Sequence, residues 1–150
     1  MKKNKIILII TFLIILTSCG FKPINQKNMD LIFLKNINVE GDPRITGYLK
    51  NNILIISNKN SENIYDLKLK IKKKKSIKIK DKTGKTARYT LTLMANLELV
   101  DLQKNKLNKT FVQYEDYDVA TIHSTTIQNQ NGAIKIIIQK LSDDIINFIV

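Results

Sequence analysis

The sequence predicts an α+β fold, a two-layer sandwich in which two helices pack on one face of a four-stranded, mostly antiparallel sheet. Apolar residues alternate with polar ones in several segments, as in half-buried strands, and recur at spacings of three and four in two others, as in helices. The chain has 150 residues, of which 43% are apolar, and this is enough for one domain with one core. The elements are expected in the order β-α-β-β-β-α.

The first strand and the first helix are predicted within residues 31–57. The strand is expected to place four apolar side chains on its inner face: Leu31, Phe33, Ile37 and Val39. Asp42 is a good N-cap, and Pro43 suits the first helical position, where its missing N–H costs no hydrogen bond. The helix is expected to run to about Ser57 with one stripe facing the core: Ile45, Tyr48, Leu49, Asn52, Ile53 and Ile56.

Three further strands are predicted within residues 64–119. In the first of them, apolar residues alternate with lysines, and residues 73–76 interrupt the alternation, which predicts a bulge or a bend. Residues 88–100 alternate most regularly, as in a sheet with one covered face. A turn near residues 104–107 leads to the last strand, around residues 110–119.

The final segment is predicted to be a helix that Ser124 or Thr125 caps. Its apolar stripe has a period near 3.6 residues and consists of Ile127, Ile134, Ile137, Ile138, Leu141, Ile145 and Ile149. Gly132 lies inside this stripe and weakens the first turns by about 1 kcal/mol. The two helices are expected to cover the same face of the sheet.

The N-terminal segment has the pattern of a signal peptide. Three lysines precede an apolar run at residues 6–16, and small residues follow it. As a helix this run would reach about 16 Å, roughly half of a bilayer core of about 30 Å, so a membrane span is not expected. Residues 1–18 are therefore predicted to be removed.

The stretch Leu16-Thr17-Ser18-Cys19 resembles a bacterial lipobox. The resemblance implies cleavage before Cys19, an S-diacylglycerol and N-acyl lipid on that residue, and a lipidated tether at residues 19–30 ahead of a single domain at 31–150. Gly20 stands where an Asp often signals retention at the inner membrane, so the resemblance implies the outer membrane, on the periplasmic side. The alternative is an ordinary secretory signal followed by a buried free cysteine.

The charge of the chain is concentrated in one segment. The whole sequence has 25 Lys and Arg against 13 Asp and Glu, a formal charge of +12, which falls to +9 without residues 1–18. Such a charge suggests nucleic acid, an anionic membrane, an anionic ligand or a compositional bias toward Lys. Export makes nucleic acid an improbable partner. Residues 68–88 hold eleven basic residues and one acid.

The basic segment has two interpretations. It can bind an anionic group, for which the candidates are Lys72, Lys74, Lys78 and, with its bidentate fork, Arg88. It can instead be a solvated strand face that lysines keep soluble and unpaired. Arg88 can equally form an ion pair with Glu98 or Asp81.

No catalytic or metal-binding constellation is found in the sequence. The chain has one His and one Cys, so a Cys/His metal cluster cannot form. His123 has no second catalytic group beside it and is expected in a loop or cap. Asp143 and Asp144 are adjacent on a predicted helix and point about 100° apart. We therefore expect neither an enzyme nor a cofactor.

Five strings of the sequence together resemble the LptE (RlpB) family of lipopolysaccharide-assembly lipoproteins, in its alphaproteobacterial form. They are Cys19-Gly20-Phe21-Lys22-Pro23, Ala87-Arg88-Tyr89-Thr90-Leu91-Thr92-Leu93, Leu97-Glu98-Leu99-Val100-Asp101, Tyr117-Asp118-Val119-Ala120-Thr121 and Leu141-Ser142-Asp143-Asp144-Ile145. Two stretches depart from the family pattern, residues 129–132 and the basic run at 73–75. These departures concern surface contacts and not the fold.

The resemblance implies a non-enzymatic role. A protein of this kind forms a one-to-one complex with an LptD-type outer-membrane β-barrel, plugs its lumen, helps it assemble and binds lipopolysaccharide. Lys72, Lys74, Lys78 and Arg88 are then candidates for lipopolysaccharide binding. Tyr114 and Tyr117, with Tyr89, are candidates for the partner interface, where Tyr is enriched, although such residues are often half-buried in a sheet. The alternative function is a periplasm-facing lipoprotein that binds anionic glycolipid or peptidoglycan without a barrel.

Overall fold

The computed structural model describes residues 32–150, which form four strands and two helices. In chain order they are β1 (Phe33–Glu40), α1 (Pro43–Leu54), β2 (Ile64–Lys80), β3 (Thr86–Asp101), β4 (Lys106–Asp118) and α2 (His123–Ile149). The strands lie in the order β1-β2-β3-β4, with β1 parallel to β2 and the other two pairs antiparallel. The predicted fold class and order of elements are confirmed. The lipobox and Leu31 lie outside the described residues.

Both helices pack on the same face of the sheet and form one core with it. The buried side chains of the two central strands are Leu67, Leu69, Ile71, Leu91, Leu93, Ala95, Leu97 and Leu99. A partly buried polar contact joins the helices, in which Asn52 donates to the Ser142 hydroxyl at 2.9 Å. Ser142 in turn donates to the carbonyl of Ile138 at 2.8 Å, so its buried hydroxyl is satisfied.

Strand β1 contains a bulge that the sequence analysis missed. Its pairing with β2 shifts register between Leu34 and Asn36. Ile32 and Leu34 are buried before the shift, whereas Ile37 and Val39 pack against the core after it. The prediction that Phe33 shares a face with Ile37 and Val39 was therefore wrong, because the extra residue reverses the alternation.

Helix α1 begins as predicted and ends early. The Asp42 carboxylate accepts a hydrogen bond from the N–H of Arg44 at 3.1 Å, and Pro43 begins the helix. The helix ends at Leu54, before the predicted Ser57, because Ser57 accepts a hydrogen bond from the Leu34 N–H and returns the chain to β1. The buried stripe is Ile45, Leu49 and Ile53, while Tyr48, placed in the stripe from the sequence, is exposed.

Strand β2 is continuous through its lysine run. The bulge predicted at residues 73–76 is absent there, and the register shifts instead between Ile77 and Lys80. Lys73 and Lys75 keep the alternation of the helix-covered face, and Lys73 lines a pocket there with Ile45 of α1 and Ile138 of α2. Lys73 donates to Asp42 at 2.7 Å, and the Lys75 ammonium lies 3.8 Å from the centroid of the Tyr89 ring. Lysine is tolerated at these positions because each ammonium has a partner and reaches solvent.

Helix α2 starts without the predicted side-chain cap. Its N-cap residue is Ile122, whose side chain makes no capping hydrogen bond, and Ser124 and Thr125 lie inside the first turn. His123, which we expected in a loop or cap, is the first helical residue. The Thr126 hydroxyl closes the preceding loop instead, since it accepts the N–H of Ala120 at 2.9 Å.

Candidate functional site

The sheet face opposite the helices has no cover among residues 32–150, and we call it the open face. It is built from alternate residues of each strand, because successive side chains of a strand point to opposite sides. Strand β2 contributes Lys68, Lys70, Lys72 and Lys74, and β3 contributes Thr92, Met94, Asn96 and Glu98 in register beside them. Strand β4 adds Asn108, Thr110, Val112, Tyr114 and Asp116.

Ion pairs occupy both ends of the open face. At one end Lys68 lies 3.4 Å from Glu98, and Lys70 lies 3.9 Å from Glu40. At the other end Lys78 pairs with Asp116, and Arg88 donates from Nε to Asp118 at 2.6 Å. Arg88 therefore pairs with neither Glu98 nor Asp81, which the sequence had suggested.

These pairs perturb two ionisable groups at the Arg88 end. The hydrogen bond from Lys78, helped by one from Thr90, holds the pKa of the Asp116 carboxyl below its usual value. The hydrogen bond to Asp118 raises the pKa of the Arg88 guanidinium. Asp116 and Arg88 are thus charged at neutral pH, and both cations at this end already have an anionic partner.

The centre of the open face combines unpaired cations with apolar side chains. Lys72 and Lys74 have no ion pair with any residue from 32 to 150. Across the sheet from Lys72 lie Met94 and then Val112, and across from Lys74 lie Thr92 and then Tyr114. The exposed fractions of Met94, Val112 and Tyr114 are 37%, 49% and 63%. We call Lys72, Lys74, Met94, Val112 and Tyr114 the central patch.

A polar groove adjoins the central patch on the side of Glu98. Its volume is about 400 Å³, and its lining includes Asn38, Glu40, Lys68, Asn96, Glu98 and Thr110. Two of its lysines are paired with its two glutamates, whereas Lys109, which also lines it, makes no ion pair within residues 32–150. The groove thus combines amide and hydroxyl groups with one unpaired cation. The open face therefore runs from the polar groove, through the central patch, to the ion pairs of Lys78 and Arg88.

The structure brings most of the sequence candidates together. Lys72, Lys74, Lys78, Arg88 and Tyr114 share the open face, although only Lys72 and Lys74 among the cations are free of ion pairs within residues 32–150.

Tyr117 lies on the opposite side of the sheet. It is only 4% exposed, and its ring centroid is 5.6 Å from that of Tyr89. Burial against the first turns of α2, where its hydroxyl reaches Gln130 at 3.5 Å, leaves it unavailable to a partner. Tyr117 is therefore not part of the open face.

Sequence reasoning missed Met94 and Val112. Met94 belongs to the outward series of β3 that includes Thr92 and Asn96, so the alternation held a signal for it. Val112 had no comparable signal, because the apolar pattern of β4 is irregular. Both become functional candidates only when the register of β2, β3 and β4 aligns them with Lys72.

Among residues 32–150, no group of three or more His, Cys, Asp or Glu side chains is placed to hold a metal ion. Neither helix in this part of the chain has the length and hydropathy of a membrane-spanning segment. The open face thus presents ammonium, amide, hydroxyl and apolar groups, which can bind an amphiphile with anionic groups.

The fold is that of several solved bacterial lipoproteins. Rare lipoprotein B from Shewanella oneidensis aligns with a TM-score of 0.61 at 13% identity, over 76% of this chain and 91% of that one. A minor lipoprotein from Acinetobacter baumannii aligns with a TM-score of 0.57 at 17% identity, over 79% of this chain and 89% of that one. Lipoprotein B from Nitrosomonas europaea gives 0.57 at 16% identity, over 85% and 88% of the two chains.

The family is defined by sequence as well. Residues 31–149 match the model of the LptE family, described as lipopolysaccharide-assembly. The chain belongs to the LptE family, whose members are non-enzymatic lipoproteins without a cofactor. No curated protein matches the chain by sequence.

Proposed function

We propose that this protein is an outer-membrane lipoprotein, anchored through acylated Cys19 on the periplasmic side, that binds lipopolysaccharide on the open face. We further propose that it forms a one-to-one complex with an LptD-type β-barrel, which it plugs and helps to assemble. Family membership over residues 31–149 supports the assembly role. The observation that supports lipopolysaccharide as the ligand is the central patch, where two unpaired ammonium groups adjoin exposed apolar side chains.

The central patch matches the chemistry of lipopolysaccharide. Its lipid moiety carries phosphate groups beside acyl chains, so a binding surface needs cations and apolar contacts within a few ångströms of each other. Lys72 and Lys74 provide point charges for phosphate, and Met94, Val112 and Tyr114 provide apolar area. The polar groove beside the patch has amide and hydroxyl groups suited to sugars.

A charge-reversal pair tests the ligand. The variant Lys72→Glu/Lys74→Glu should bind purified lipopolysaccharide at least about tenfold more weakly than the unaltered protein, since each lost charged contact is worth about 1.5 kcal/mol or more. Binding is measured by surface plasmon resonance at two salt concentrations.

The matched control is Lys82→Glu/Lys85→Glu, which makes the same charge change at the turn between β2 and β3. The control should keep most of the affinity, because that turn lies beyond the central patch. Equal losses in the two variants would mean that net charge alone governs binding, and would remove the central patch as the site.

Affinity purification from solubilised outer membranes tests the barrel partner. The protein should retain an LptD-type barrel in equal amount, and an eluate without such a barrel would support the alternative of a free glycolipid-binding lipoprotein.

The variant Cys19→Ala tests the anchor and should give a chain whose mass, measured by mass spectrometry, lacks lipid. A lipid-modified mass in that variant would exclude Cys19 as the acylated residue.

A further inference from the structure

Strand β2 is longer than its neighbour β1, and this leaves part of its edge unpaired. The pairing of β1 with β2 ends at Glu40 and Lys70, and Gly41 then turns the chain into α1. Beyond Ile71, β2 pairs with β3 alone. We call residues 72–80 the free edge; no residue from 32 to 150 pairs with its outer side. Nine extended residues span about 30 Å.

The backbone groups that point outward on the free edge can be identified. The carbonyl oxygen of Ile71 approaches Gly41 so closely that an added Cβ would lie 2.9 Å from it, so this carbonyl points away from β3. In an antiparallel pair the N–H and C=O of one residue point the same way, and the direction alternates along the strand. Lys73, Lys75 and Ile77 therefore present both groups outward.

The free edge is strongly cationic on both sides of the sheet. It has no acid and six lysines, Lys72, Lys73, Lys74, Lys75, Lys78 and Lys80. The open face holds Lys72 and Lys74, and the other face holds Lys73 and Lys75. Lysines on an edge oppose pairing with a like strand. An added strand with carboxylates on both of its faces would instead meet ammonium groups on both.

Exposed apolar side chains also lie on this edge. Ile77 and Ile79 are 53% and 45% exposed, near the end of β2 that leads into the turn. Exposed isoleucines favour association with another chain. They would therefore not be expected on an edge whose lysines served only to prevent association. The combination of outward donors and acceptors, lysines and isoleucines is that of a strand-addition site.

We propose that the free edge binds an acidic, extended segment of a partner protein by strand addition. The partner's main chain would hydrogen-bond to Lys73 and Lys75, and its carboxylates would face Lys72 and Lys74. A second copy would bring the same six lysines and repel. Residues 19–30 of this chain have Lys22 and Lys27 against Asp30, and so lack the complementary charge. The proposal concerns a backbone edge and goes beyond lipopolysaccharide binding by the open face.

A synthetic peptide tests the proposal on the full-length lipidated chain in detergent micelles. The probe is a fluorescein-labelled 12-residue peptide that repeats Glu-Glu-Thr-Thr, which places glutamates on both faces of a strand. Its binding is measured by fluorescence anisotropy. We expect saturable binding that weakens with salt. A second peptide, with the same residues but N-methylated at two adjacent central positions, blocks both of its edges. It should bind at least tenfold more weakly. Equal affinity of the two peptides, or no binding of the first, would overturn the proposal.

Two variants at one position separate the backbone from the charge. Lys75→Thr and Lys75→Pro both remove the ammonium, but only the proline removes the outward N–H, and an edge strand tolerates it there. The proline variant should bind the first peptide at least tenfold more weakly than the threonine variant. Equal binding by two folded variants would refute strand addition.

Hydrogen exchange of the unaltered protein decides the matter even if the proline variant fails to fold. The peptide should protect the amides of Lys73 and Lys75, whose N–H groups point outward, and unchanged exchange at both would contradict the proposal. Sedimentation of the protein alone should give a single micelle-bound chain. Self-association that the acidic peptide disrupts would assign the free edge to a second copy and overturn the acidic partner.

Discussion

The lysines of β2 differ from one another in what lies next to each ammonium group. Lys78 is paired with Asp116, Lys73 with Asp42, and Lys75 lies over an aromatic ring. Lys72 and Lys74 have no such partner within residues 32–150. A run that is uniform in sequence thus divides into cations that stabilise the fold and cations that are free to bind a ligand.

Lys75 should stabilise the protein through its aromatic contact. Its ammonium lies 3.8 Å from the ring centroid of Tyr89 and 5.6 Å from that of Tyr117. We expect Lys75→Gln to lower the free energy of unfolding by about 0.5 to 1 kcal/mol, as for an exposed cation–π contact. Urea denaturation followed by circular dichroism measures the change. Lys74→Gln, at the neighbouring position on the open face, is the control and should change the stability by less than about 0.5 kcal/mol.

The ion pair of Lys78 should be visible in the titration of Asp116. Its hydrogen bond lowers the pKa of Asp116, so this carboxylate stabilises the fold above its unfolded pKa of about 3.9. That contribution is lost as the pH falls through the lowered folded value. In Lys78→Gln the pKa of Asp116 should rise toward the usual value, so this stabilising contribution should be smaller and its loss should be complete at a higher pH.

A carboxyl carbon NMR titration measures the pKa of Asp116. Lys72→Gln removes a cation from the same face of the same strand and should leave the Asp116 midpoint where it is in the unaltered protein. An identical midpoint in Lys78→Gln and the unaltered protein would show that the pair does not form in solution.

At the scale of elements, the junction of β1 and α1 depends on Gly41. This residue has φ of 141°, and a Cβ on it would lie 2.9 Å from the Ile71 carbonyl oxygen and 3.1 Å from the Ile71 Cβ. The same close approach ends the pairing of β1 with β2, and Asp42 then caps the helix directly. One residue thus sets the end of β1, the start of α1 and the first unpaired position of β2.

Gly41→Ala should therefore lower the free energy of unfolding by about 1 to 3 kcal/mol, the range for a non-glycine residue held in such a conformation. Gly47→Ala is the matched control inside α1, where a Cβ meets nothing within 4 Å. That change should raise stability by about 0.5 to 1 kcal/mol. Thermal unfolding gives both values. A loss in Gly47→Ala as large as that in Gly41→Ala would mean that Gly41 has no special role.

The predictability of each element from sequence follows from how local its determinants are. Asp42 and Pro43 fixed the start of α1 because a cap and its helix are neighbours in sequence. The bulge in β1 and the displaced bulge in β2 depend on pairing with another strand, so alternation alone misplaced Phe33 and residues 73–76. The central patch needs three strands in register. Lys72, Lys74 and Tyr114 were found from residue type, but their proximity to Val112 was not.

At the scale of the whole molecule, the helices cover the sheet unevenly. Leu67, Leu69 and Ile71 are buried in the part of β2 that pairs with residues 95–99, whereas Ile77, on the same face toward the turn, is exposed. The turn itself is held locally, since the Asp81 carboxylate accepts hydrogen bonds from the N–H groups of Thr83 and Lys85. The protein therefore has a well-covered end and a sparsely covered end of the same strand pair.

Hydrogen exchange should reveal this difference. Amides that link β2 and β3 next to the turn should exchange through local openings with little dependence on denaturant, because few apolar contacts are lost there. Amides of residues 91–99, inside the core, should exchange only through global unfolding. Native-state exchange in increasing urea, read by NMR, separates the two classes. One common opening free energy along the whole of β3 would contradict the uneven coverage.

The position of β1 at the N-terminal end of the described residues has a mechanical consequence. It is an edge strand, it pairs with β2 alone, and its bulge already interrupts that pairing. If the chain is held at Cys19 while the rest of the domain is pulled away from that residue, the tension enters the domain at β1. It then acts on the β1–β2 hydrogen bonds first. The meander of β2, β3 and β4 lies behind those bonds and experiences the load only after they break. The strand nearest the tether would therefore detach first, while the other three strands stay paired.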